Sequence, residues 1–72
     1  PRDLMFLDQF SMEVARSTSY QYEEVHGALT YIALCGVPAK TAREWIGLVG
    51  PSGAMRLALL TTKEVRQTDP AP

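Results

Sequence analysis

The stretch YQYEEVHGALTYIALC, residues 20–35, decides the fold of this chain. Its apolar residues recur at helical spacing and form one stripe along a helix. That stripe consists of Tyr22, Val25, Leu29 and Ile32, joined by Ala28 and Cys35. Tyr31 and Leu34 point away from the stripe, so the second half of the helix is apolar nearly all round. Because such a helix is normally buried on every side, we expect it to be the central helix, covered by the other helices or by a partner.

A helix is also predicted before the central one, from about Leu4 to Arg16. Its apolar stripe is formed by Leu7, Phe10 and Val14. A polar break follows, and it contains residues that favour helix N-caps. Thr18 is followed three residues later by Gln21, which fits a capping box, and Ser19 is an alternative cap. We expect one of these side chains to cap the central helix.

Two more helical segments are predicted after the central helix. The first spans about Pro38 to Val49, because Gly36 suits a helix end and Pro38 suits the first turn of a new helix. Its inward side chains are expected to be Ala42, Trp45, Ile46 and Val49. Residues 50–53, GPSG, then break the pattern, and the Ala-, Leu- and Met-rich segment beyond favours a fourth helix from about Ser52. A strand over residues 55–62 is the less favoured alternative.

These segments predict an all-α fold, a small bundle of about four short helices around a central apolar helix. The single helical domain is expected to occupy residues 1–65, and RQTDPAP, residues 66–72, to form a flexible tail or linker. Because the chain begins with Pro1 rather than a methionine, we expect it to be a piece of a larger protein. A domain of this length has a marginal core, which favours a bound partner or a homo-oligomer.

Composition and charge exclude several classes of function. The net charge is −1 and the pI is about 5.7, so no global field attracts nucleic acid. One cysteine and one histidine cannot form a disulfide or a Cys/His metal cluster, and we expect neither a metal nor another cofactor. No apolar run is long enough to cross a membrane. The lone cysteine favours an intracellular, cytoplasmic location.

The corner GVPAKTAREWI, residues 36–46, resembles the turn and second helix of the helix-turn-helix motif that binds DNA in many repressors. Gly36 stands at the turn, Val37 follows it, and Trp45 packs the second helix. The resemblance implies DNA contacts on the outer side of that helix, and these residues would be Lys40, Thr41 and Arg43. Two features depart from the motif: the bulky Ile32 stands four positions before the turn glycine, and the helix before the turn is longer than usual.

Residues for catalysis are scattered along the sequence. Cys35 and His26 are the possible nucleophile and base, but nine residues of one helix would separate them by about 13.5 Å, beyond the reach of a hydrogen bond. Segment 50–53 lacks the lysine and spacing of a phosphate-binding loop. We therefore do not expect an enzyme.

Apolar side chains that leave the core give the better functional indication. Met5 and Met12 project together from the first helix, and Leu48 projects about 110° away from the inward stripe of its own helix. Methionines serve adaptable binding surfaces because their side chains are flexible and polarizable. We therefore predict a noncatalytic protein–protein interaction or assembly module that binds a protein partner or forms a homo-oligomer. The alternative is a helix-turn-helix DNA-binding domain.

Overall fold

The computed structural model describes the backbone of residues 6–68 and the side chains of residues 6–62. All regular structure in that range is helical, which confirms the predicted all-α class, and the helices form a small bundle. They are α1, Leu7–Thr18, α2, Tyr22–Leu34, and α3, Ala39–Thr68. The predicted helix start at Leu4 and residues 69–72 of the predicted tail lie outside the described residues. Helix α3 includes residues 66–68, the first part of the segment predicted as a tail.

The predicted number of four helices is wrong, because the described chain has three. We expected segment 50–53 to break the helix and a separate fourth helix to begin at about Ser52, but only Gly50 leaves the helical conformation, with φ 80° and ψ 171°. Pro51 then suits the first turn of renewed helix, where a missing backbone N–H has no cost. Helix α3 therefore has two arms: the first arm is residues 39–49 and the second arm is residues 51–68.

The two arms of α3 fold back on each other at Gly50. Thr41 and Thr61 line the same groove, whereas twenty residues of straight helix would hold them about 30 Å apart. The backbone angles of Gly50 lie in a region that is accessible essentially to glycine alone. Tyr20, in the α1–α2 loop, packs against this bend, since a Cβ added at Gly50 would lie 2.8 Å from its hydroxyl oxygen. The bend therefore lies beside the start of α2.

Helix α2 lies at the centre of the bundle, as predicted. Both α1 and α3 pack mainly against it, while α1 and α3 contact each other little. The buried apolar residues of the described core are Val14, Val25, Ala28, Leu29, Ile32, Ala42, Ile46, Ala54 and Ala58. The other helices of the lone chain leave the end of α2 uncovered, because Leu34 is 81% exposed. Val49, expected to face inward, is also exposed.

The corner after α2 has the glycine geometry that the sequence predicts. Gly36 has φ 86° and its N–H donates to the Ala33 carbonyl at 2.9 Å. The Val37 N–H donates to the Ile32 carbonyl at 3.2 Å. These two bonds form a Schellman motif, which satisfies carbonyl groups at the helix end and brings an apolar residue back against the last turn. Helix α3 then begins directly after Pro38.

The connection between α1 and α2 differs from the predicted capping box. Thr18 belongs to α1, and its hydroxyl donates to the Val14 carbonyl at 2.6 Å. Gln21 is the N-cap of α2, and no side chain caps that position. Ser19 instead ends α1 in the left-handed conformation, with φ 66°, and its N–H donates to the Ala15 carbonyl at 2.8 Å. The polar break therefore serves the end of one helix rather than the start of the next.

Candidate functional site

Two of the three residues predicted to bind a partner are exposed in the structure. Met12, on α1, is 46% exposed, and Leu48, on the first arm of α3, is 80% exposed. Met5 lies outside the described residues. Met12 and Leu48 stand on different helices, and neither lines the two grooves described below. The structure therefore gives two separate exposed apolar positions rather than one assembled site.

The second arm of α3 places small side chains inside and large ones outside. Ala54 and Ala58 are fully buried against the bundle. Leu57, Leu59 and Leu60 on the same arm are 36%, 41% and 55% exposed. Full burial of a leucine side chain contributes about 1.5–3 kcal/mol, and these exposed leucines realise only part of it in the lone chain. This outward leucine face was not predicted, because periodicity alone does not separate Ala from Leu.

An apolar groove of about 540 Å³ opens where the start of α1 meets the corner between α2 and α3. No charged or polar side chain lines it. Its lining residues are Phe6, Leu7, Phe10, Leu29, Ala33, Gly36, Val37, Pro38, Ala39 and Ala42. Phe6 at its rim is 62% exposed. A groove of this size and lining accepts apolar side chains, and its volume falls within the range of small-molecule pockets.

A second groove, of about 470 Å³, lies on the other side of the corner. Its side chains include the thiol of Cys35, the indole of Trp45 and three threonines, Thr41, Thr61 and Thr62. The hydroxyls of Thr61 and Thr62 donate to carbonyls of their own helix. Those hydroxyls are therefore engaged in the fold, and the groove offers mainly apolar contact.

The residues that a helix-turn-helix would use are only partly presented to solvent. Lys40 and Arg43 are exposed on the outer side of the first arm of α3. Thr41 is half-buried and lines the second groove instead. Glu44 and Leu48 are exposed on the same arm, so an acid and a leucine accompany the two cations. The corner of four residues between α2 and α3 has the length of a helix-turn-helix corner.

A polar cluster joins α1 to α2 across the surface. His26 Nε2 lies 2.9 Å from Asp8 Oδ1, and the Tyr22 hydroxyl donates to the same oxygen at 3.3 Å. Tyr22 and His26 also pack with ring centroids 5.5 Å apart. Burial, together with the charge and hydrogen bond of Asp8, raises the pKa of Tyr22. The sequence did not reveal this cluster, because Asp8 meets the other two residues only when α1 packs on α2.

The two residues considered for catalysis lie apart in the structure. Cys35 follows the end of α2, and His26 lies more than two turns earlier and is paired with Asp8. Burial and the neighbouring Cys35 raise the pKa of Tyr31. Among residues with described side chains, no group of three His, Cys, Asp or Glu residues is placed to hold a metal ion.

Within the described range, no helix has the length and apolarity needed to span a membrane.

Comparison of the chain with models of protein families, with curated proteins and with solved structures found no match.

Proposed function

We propose that this chain is a noncatalytic helical interaction or assembly module, which binds a protein partner or a second copy of itself through exposed apolar side chains. The observation that carries the proposal is the exposure of its leucines, with Leu34 and Leu48 at 81% and 80%. Covering such side chains removes apolar area from water, at about 25 cal/mol per Å². Burial of these side chains on binding a partner therefore contributes favourable free energy that the lone chain does not obtain.

The chemistry of this surface favours apolar burial over electrostatic attraction. Met12 offers a flexible, polarizable contact and Leu48 a projecting branched one. The charges around them are of both signs and the net charge is −1, so they set orientation more than affinity. The free thiol of Cys35 supports an intracellular, cytoplasmic setting, where thiols stay reduced.

Aspartate substitutions test this surface. Met12→Asp and Leu48→Asp place a charge where the proposal needs apolar contact, so each is expected to weaken association by about tenfold or more. Light scattering measures the oligomeric mass, and retention on the parent chain as bait measures binding. Ser17→Asp, on an exposed polar position of α1 about 140° around the helix from Met12, is the matched control and is expected to change nothing. If both apolar variants associate like the parent chain, these two positions are not the binding surface.

The second candidate function is a helix-turn-helix DNA binder. The short Schellman corner and the exposure of Lys40 and Arg43 favour it. Binding to DNA should weaken steeply as salt rises, because phosphate contacts release counterions. The double change Lys40→Ala and Arg43→Ala should then abolish retention on DNA, while apolar association should be nearly indifferent to both salt and this change. Glu44 beside the two cations makes this the lesser candidate.

A further inference from the structure

We draw no further inference here: the strongest candidate, the apolar groove between the start of α1 and the corner that joins α2 to α3, carries none, because nothing in the described part of the chain shows what covers it.

Discussion

Gly50 is the residue on which the fold-back of α3 depends. Its φ of 80° and ψ of 171° suit glycine, and the Tyr20 hydroxyl occupies the space that a Cβ would need. Any other side chain here meets backbone strain, and its Cβ also requires the far end of the 42% exposed Tyr20 side chain to shift. The position therefore combines two independent constraints, which a single experiment can separate.

Gly50→Ala is expected to destabilise the fold by about 2–3 kcal/mol, because a side chain in this backbone region costs about 1–3 kcal/mol before the clash is added. Urea unfolding followed by circular dichroism measures the change. In a Tyr20→Phe background, which removes the hydroxyl, part of the loss should be relieved and the backbone part should remain. An alanine variant as stable as the parent chain would contradict this account of the bend.

Ser11 is a second informative residue, because its hydroxyl is fully buried and has no hydrogen-bond partner among the described residues. Burial of an unpaired polar group costs about 1–3 kcal/mol. Ser11→Ala should therefore raise the free energy of unfolding by about 1 kcal/mol. Ser52→Ala is the control, since Ser52 is exposed and should change stability by less than about 0.5 kcal/mol. Lower thermal stability in the Ser11 variant would show that the hydroxyl has a partner after all.

At the scale of the elements, Tyr22 of α2 contributes to the contact with α1 through its hydrogen bond to Asp8. Its pKa is raised by burial and by Asp8, so the folded state holds the phenolic proton more tightly than the unfolded state does. The resulting stabilisation is present below the unfolded pKa of about 10 and is lost as the pH rises through the raised folded value. Alkali should therefore loosen the contact between α1 and α2.

Tyr22→Phe removes this ionisation and should flatten the loss of stability above about pH 10. Urea midpoints of the variant and the parent, measured at about pH 8 and about pH 11, give the comparison. Tyr31 is still present in this variant and its pKa is also raised, so part of the loss of stability at high pH should remain. Equal losses in the variant and the parent would mean that Tyr22 does not carry the effect.

The helices and their breaks could be predicted because their signals are local. Gly36 ends α2 and Gly50 interrupts α3, both with positive φ, where the sequence indicated breaks. The extent of the break at Gly50 could not be predicted. Residues 50–53 all favour a turn, but one glycine suffices to reverse the chain once the second arm packs on α2. The predicted number of four helices was wrong for that reason.

The surface was harder to predict than the helices. Met12 and Leu48 could be placed outside the core from their angular positions, and they are exposed. The exposed Leu60 could not be predicted, because Ala58 fits the same helical pattern and only the packed structure shows that the alanine faces inward. The link between Asp8 and His26 spans eighteen residues and exists only after two helices meet.

At the scale of the whole molecule, α2 holds the bundle together, since α1 and α3 each pack on it and hardly touch each other. Helix α2 therefore joins two helices that have few direct contacts with each other. Lifting α1 away breaks its interface with α2 and its few contacts with α3, while the interface between α2 and α3 stays in place. The apolar side of α2 that α1 shields would then be open to another amphipathic helix, so local opening of α1 exposes an apolar face while α2 and α3 stay packed together.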